Sequence, residues 1–226
     1  VCGRYTLAGP DPASLRERFP IGESVQVRHR YNVAPGDDVL AVTTDREGAP
    51  RGELLRWGLV PYWAKDPKSL GLKLINARSE TMFANATFRG ARRCLVIADG
   101  FYEWEPRPGE PKQPWWVTRP DGEPFAFAGL WSSWRPGPDV EPLRSVSIVT
   151  TQASDQLAHI HDRMPVMLAP DTEGAWLDHD AREEELLDLC VPLRETRTLA
   201  VGQAVNDARH DEPDCLQPAP PPLTLF

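Results

Sequence analysis

The chain has 226 residues and a formal net charge of −8, with 41% hydrophobic and 26% charged residues. That is long enough to bury a core without disulfide or metal staples, and too apolar for a disordered chain. No apolar run approaches the ~18 residues of a membrane helix, and Val1-Cys2-Gly3-Arg4-Tyr5 has no stretch of signal-peptide length, so a cytoplasmic protein without membrane contact is expected.

With 24 prolines and 16 glycines as punctuation, the elements are predicted to be short. Asp11 to Phe19 reads as a helix: Asp11 caps it, Pro12 suits its first turn, and Leu15 and Phe19 share a face. Val39 to Val42 and Leu54 to Val60 read as strands, and Ser79 to Phe83 as the start of a second helix. Cys94 to Ala98 reads as a central strand, and Phe101 to Glu105 stays extended beyond Asp99-Gly100. Trp115 to Thr118 and Phe125 to Ala128 flank Arg119-Pro120-Asp121-Gly122, a hairpin signal. Val146 to Thr150 is a strand, Ser154 to Ile160 a short helix and Val166 to Leu168 another strand. Asp171 caps a helix holding Trp176 and Leu177. Arg182 to Cys190 is amphipathic, with Leu186, Leu187 and Cys190 on one side. Thr198 to Val201 is a late strand. The prediction is one domain over residues 1–210, followed by a proline-rich tail, 211–226, whose Pro218-Ala219-Pro220-Pro221-Pro222 run lies on the surface.

The charge is uneven. Residues 1–93 carry +5 and residues 94–226 carry −13. A basic working face on an acidic body fits this pattern, as does an ordinary solvated surface. The cysteines at 2, 94, 190 and 215 have neither zinc-site spacing nor the density of a disulfide framework. Cys94 and Cys190 read as buried apolar residues, whereas Cys2 sits where packing offers least. No glycine-rich phosphate loop occurs, so neither cofactor nor metal is expected.

Val1 is an unusual first residue. If it reflects an alternative start codon and is removed, the chain begins at Cys2, a 1,2-aminothiol. Its α-amine, with a reference pKa of ~7.7–8, adds to aldehydes as a Schiff base. Its thiol then closes onto the same carbon to form a thiazolidine. An internal cysteine lacks the free amine.

Six segments mix polar and aromatic residues between apolar runs: Cys2-Gly3-Arg4-Tyr5, Arg30 to Pro35, Trp57 to Ala64, Ile75 to Thr81, Asp99 to Trp104 and His159 to Val166. In this order they resemble the SOS response-associated peptidase (SRAP) family, from Cys2 to about Arg209. The resemblance implies an α+β fold: a single compact domain with a curved, barrel-like antiparallel sheet and peripheral short helices. It implies shielding of abasic sites in single-stranded DNA by a covalent link to Cys2, with single-strand/double-strand junctions among the partners and the protein as a monomer. Cys2 matches the family's nucleophile, Asn76 the asparagine that positions it, Glu103 the catalytic glutamate and His161 the catalytic histidine. Histidine and glutamate are suited to the proton transfers that open the abasic sugar and dehydrate the adduct. Val1, in place of an initiator Met, departs from the family.

DNA is expected on other groups. Arg4 and Arg78 suit phosphate, because a guanidinium matches two oxygens at once. Tyr62 and Trp63 suit base stacking, with core packing as the alternative. Asn32 and Pro35 resemble the family's DNA-groove loop, with a plain turn as the alternative. Lys65, Arg89, Arg92 and Arg93 add diffuse attraction. Trp57, Trp115, Trp116, Trp131 and Trp176 read as core. Two other functions fit the residue types: a cysteine peptidase using Cys2, His161 and a carboxylate, and a non-covalent reader of modified single-stranded DNA.

Overall fold

The computed structural model describes residues 2–66 and 73–220. The expectation about Val1 lies outside the described residues, as do Pro221 and Pro222 of the tail. The first elements are β1 (Tyr5–Leu7), α1 (Pro12–Arg18), β2 (Arg30–Val33), β3 (Asp38–Thr44), β4 (Pro50–Trp57) and β5 (Asn76–Arg78). Next come β6 (Arg92–Ala98), β7 (Gly100–Glu105), β8 (Gln113–Thr118), β9 (Phe125–Trp134) and β10 (Leu143–Gln152). The last are β11 (Arg163–Pro165), β12 (Met167–Leu168), α2 (Glu173–Leu177), α3 (Glu183–Asp188) and β13 (Arg197–Ala200).

The strands form two sheets. One has the order β13-β8-β7-β1-β2. In the other, β10-β4-β3-β6-β9 closes on itself because β9 also pairs with β10. The closure is ring-like, not a true barrel. Alternate residues of a strand face opposite sides, and the two faces bury different partners. Val39, Ala41, Leu55, Trp57, Val96, Phe127, Val146 and Ile148 turn inward and pack with Cys2 and with Tyr5, Phe101 and Val117 of the first sheet. Leu40, Val42, Leu95, Ile97, Ala126 and Ala128 turn outward, under Leu15 of α1, Trp176 of α2 and Leu186 of α3. The result is one compact, mostly β, α+β domain with short peripheral helices. The pairings are antiparallel except that β10 runs parallel to β4 and to β5.

A buried corner carries the chain from one sheet to the other. Asp99, between β6 and β7, accepts from Thr6 Oγ1 at 2.5 Å and from the Ala8 and Gly9 amides at 2.7 and 2.6 Å. The next residue must be glycine, because a Cβ at Gly100 would lie 2.3 Å from Trp116 Nε1.

Several predicted elements take another form. The hairpin does not form: β8 pairs with β7 and β13, while β9 joins the other sheet. A Pro-Asp-Gly turn reverses the chain without choosing the partner. Ser79 to Phe83 is turn, with Arg78 O accepting from both the Thr81 and Met82 amides; Asn85 then caps a 3₁₀ turn, Ala86–Phe88. Ser154 to Ile160 is also turn, closed by bonds to Ser154 O and Leu157 O. The cap of α2 is Thr172 rather than Asp171, and Leu187 of α3 is exposed. Asp11 does cap α1, accepting from Ala13 N at 2.9 Å and from Ser14 N at 3.2 Å. The segment predicted as a tail packs onto the body through residue 219: Cys215 is fully buried, Val201 bridges Pro218, and Ala219 N donates to Ala200 O.

Candidate active site

Four of the predicted residues converge beneath the first sheet. Cys2 precedes β1 and is fully buried, not exposed as a terminal position suggested. Its φ is +30°, the one non-glycine in the left-handed region among the described residues. The Cys2 nitrogen donates to Glu103 Oε1 at 2.5 Å. Asn76 Nδ2 donates to Cys2 O at 3.4 Å. Glu103 and His161 line one small pocket, walled by Phe101, Val117, Leu157 and Ile160.

Local structure explains each placement. In β7 the alternation sends Phe101 and Glu103 inward, and Tyr102 and Trp104 to the opposite face. There Tyr102 OH donates to Tyr31 O at 2.8 Å and Trp104 Nε1 to Asn206 Oδ1 at 2.7 Å, which fixes the strand's roll. Asn76 sits opposite Ile148 in the β5–β10 ladder. Trp57 Nε1 anchors the approach to β5 by donating to Ile75 O at 3.0 Å. His161 ends the 154–160 turns. Its Nδ1 lies 3.0 Å from the Arg163 amide, which can donate to it, and 2.8 Å from Asp162 Oδ1.

Burial pushes the Cys2 thiol far above its ordinary pKa, and the neighbouring Glu103 carboxylate pushes it further. The sulfur is therefore held as a thiol, while the carboxylate engages the nitrogen. The pocket thus has a carboxylate placed to move a proton at nitrogen and an imidazole on the same wall.

Sequence reasoning assigned no role to Glu80 and Arg163. Arg163 is buried, adjoins His161 and lines the same pocket. It binds Glu80, two residues past β5, and so ties the Asn76 segment to the His161 segment. Both lay inside the quoted segments; their pairing, 83 positions apart, left no local signal.

The predicted DNA contacts divide. Tyr62 and Trp63 are 57% and 48% exposed in the turn after Pro61, so they stay out of the core. Arg78 is exposed at the end of β5. Arg4 and Asn32 turn inward, contrary to a direct phosphate or groove role. Arg4 Nη1 donates to Asn32 Oδ1 at 3.1 Å and to Val205 O at 2.7 Å, and burial lowers its proton affinity. Asn32 Nδ2 reaches the carbonyls of Val205, Asp207 and His210. Pro35 is half-buried in a turn closed by Asp37 N donating to Ala34 O. Arg93 is also committed, donating to Trp176 O at 2.8 Å. Trp57, Trp131 and Trp176 are core; Trp115 and Trp116 are half-buried.

Among the described residues, His210, Asp214 and Cys215 bring three metal-ligating atoms within 4.8 Å of one another. His210 Nε2 and Asp214 Oδ1 pair with each other at 2.6 Å. Cys215 packs with Tyr102 on the far face of the first sheet, away from Cys2.

A family model described as SOS response associated peptidase (SRAP) matches residues 1–208. The chain is similar to the abasic site processing protein YoqW of Bacillus subtilis, 34% identical over 226 residues, covering 96% of this chain and 99% of YoqW. It is similar to the abasic site processing protein YoaM of the same organism, 36% identical over 227 residues, covering 96% and 97%. A crystal structure of a Bacteroides thetaiotaomicron protein shares the fold with a TM-score of 0.83 at 21% identity, covering 97% of this chain and all of that one.

Proposed function

The chain belongs to the SOS response associated peptidase (SRAP) family, and from that premise we propose that it processes abasic sites in single-stranded DNA by covalent capture at Cys2. The observation that carries the proposal is the 2.5 Å contact between the Cys2 nitrogen and Glu103 Oε1. A carboxylate on the nitrogen is what amine chemistry requires.

Removal of residue 1 turns the Cys2 nitrogen into an α-amine. Glu103 takes a proton from it. The neutral amine attacks the aldehyde of the ring-opened abasic sugar, and His161 supplies the proton transfer that opens the hemiacetal. A C–N bond forms, water leaves, and an imine results. The Cys2 sulfur then adds to the imine carbon: a C–S bond forms, the thiol proton passes to nitrogen, and the five-membered thiazolidine closes. Asn76 holds the Cys2 carbonyl while the side chain swings. Tyr62 and Trp63 stack on flanking bases, and Arg78 meets a phosphate. The imine also acidifies its neighbouring carbon, the route to strand cleavage by β-elimination.

The test is a denaturing gel. Protein shown by mass to begin at Cys2 is mixed with a single-stranded oligonucleotide bearing one abasic site, without borohydride. A heat-stable shifted band is expected, absent with Cys2→Ala and with undamaged DNA. No band from the processed protein overturns the covalent reading.

A further inference from the structure

One end of the closed strand circuit carries a cationic stack that plays no part in the Cys2 pocket. Arg92 begins β6 opposite Trp131 of β9, and Trp131 in turn faces Val146 of β10. The guanidinium of Arg92 lies 4.0 Å from the Trp131 ring centroid, and that of Arg144 lies 4.3 Å from it. Such stacking fixes the guanidinium planes while leaving their N–H edges able to donate. Trp131 is buried, and its Nε1 has no hydrogen-bond partner.

The charge around the stack is unbalanced. Arg144 pairs with Glu53, and Arg51 Nε lies 3.8 Å from the same carboxylate. The charged groups acting on Arg92 are Glu53, Arg51 and Arg46; those acting on Arg144 are Glu53, Arg51 and Arg92. Arg51, Arg92 and Arg144 thus share the Glu53 carboxylate, while Arg46, in the β3–β4 turn, lines a surface pocket with Glu47, Asp178 and Asp180. Asp45, in the adjoining β3–β4 turn, spends Oδ1 on the Glu47 and Ala49 amides. Arg51 is 56% exposed, and Arg46 and Arg92 are exposed. Mutual repulsion and partial burial make this cluster costly in the free protein, and an incoming anion offsets both.

We propose that Arg46, Arg51, Arg92 and Arg144 form a second contact for the phosphodiester backbone of single-stranded DNA, remote from the captured sugar. The proposal rests on the reading that this chain acts on DNA. Thr150, whose carbonyl receives Arg163 beside His161, lies six residue steps along β10 from Arg144; at ~3.3 Å per step that is about 20 Å. A strand held at both places therefore runs well beyond the lesion, and the contact adds affinity without regard to base sequence.

The test uses anisotropy with a long, undamaged, fluorescein-labelled single strand, titrated across salt concentrations. Arg92→Gln/Arg144→Gln and, separately, Arg46→Gln/Arg51→Gln are expected to raise Kd about fivefold or more and to reduce the log–log salt slope by ~0.7 per lost phosphate contact. Glu53→Gln is expected to tighten binding. The exposed pair Arg46/Arg51 reports even if the stacked pair fails to fold. Crosslinking to an abasic oligonucleotide too short to span the distance should be unchanged in every variant. Wild-type affinity and slope in both arginine pairs overturn the proposal. If processed wild-type protein fails to crosslink yet the arginine variants still lose affinity, the covalent reading falls and this contact stands.

Discussion

Arg163 grips Glu80 with both ends of its guanidinium: Nη1 to Oε1 and Nη2 to Oε2 are each 2.9 Å. Nη2 also donates to Thr150 O at 2.7 Å. The Arg163 amide faces His161 Nδ1, so the same residue that fixes the β5 side of the pocket also holds the imidazole. These are positioning residues, and small displacements of reacting groups cost large factors in rate. Glu80→Gln should slow crosslinking about tenfold while leaving affinity for undamaged DNA unchanged. Arg163→Lys keeps the charge, loses the fork, and should not rescue the rate. Equal losses of rate and DNA affinity in Glu80→Gln would mean that Glu80 serves binding instead.

The same pair sets a pH dependence of stability. The hydrogen bond from Arg163 holds the Glu80 carboxyl below the usual carboxylate range. A carboxyl depressed in the folded state contributes stability above its unfolded pKa, ~4.3. That contribution is lost as pH falls through the lower, folded value. On acidification from neutrality to below about pH 4, the Tm of Glu80→Gln should fall less than that of wild type. Identical Tm-versus-pH curves would exclude the coupling. Glu80 is 48% exposed, so the difference is modest.

Glu103→Gln keeps the side chain's shape and removes its basicity. Positioned proton transfer is worth roughly 10²–10⁴-fold, so the crosslinking rate of processed protein should drop within that range. A wild-type rate, measured by quenching time points on the denaturing gel, would take the proton-transfer role away from Glu103.

Asn32 and Tyr62 separate structure from recognition. Asn32→Ala strips the Asp207 and His210 carbonyls of their Asn32 donor and leaves Arg4 and Val205 O with only each other. It should cost about 2–4 kcal/mol, and hydrogen exchange should speed first across residues 203–218. A loss confined to DNA affinity, with stability intact, would restore the groove role.

Tyr62→Ala with Trp63→Ala should do the reverse. Both side chains are exposed, so Tm should hold. Base stacking is worth ~1–3 kcal/mol per base, so single-strand Kd should rise at least fivefold. Unchanged Kd by anisotropy would leave the pair without a nucleic-acid role.

Much of the fold was legible because local signals agreed with tertiary demand. Cys94 to Ala98 is an unbroken apolar run, and β6 is paired on both sides. Asp11-Pro12 specifies a helix start whatever surrounds it. The motif segments led to Cys2, Asn76, Glu103 and His161, and all four meet. What stayed hidden were choices made by distant partners. Trp115 to Thr118 and Phe125 to Ala128 suit any antiparallel neighbour, and burial against opposite sheets separated them. Ser154 to Ile160 has helical spacing, but closing bonds at Ser154 and Leu157 use its carbonyls for turns. Arg4 and Asn32 have side chains as fit for backbone carbonyls as for phosphate. Only the return of residues 205–210 alongside β2 decides between them.

The left-handed φ of Cys2 concerns the direction of processing. A φ torsion is defined by the carbonyl carbon of the preceding residue, so a chain that begins at Cys2 has none. For a β-substituted residue that torsion costs on the order of 1–3 kcal/mol. If residue 1 is removed, as proposed above, that strain is released with the first peptide bond, and the chain that begins at Cys2 is the relaxed one.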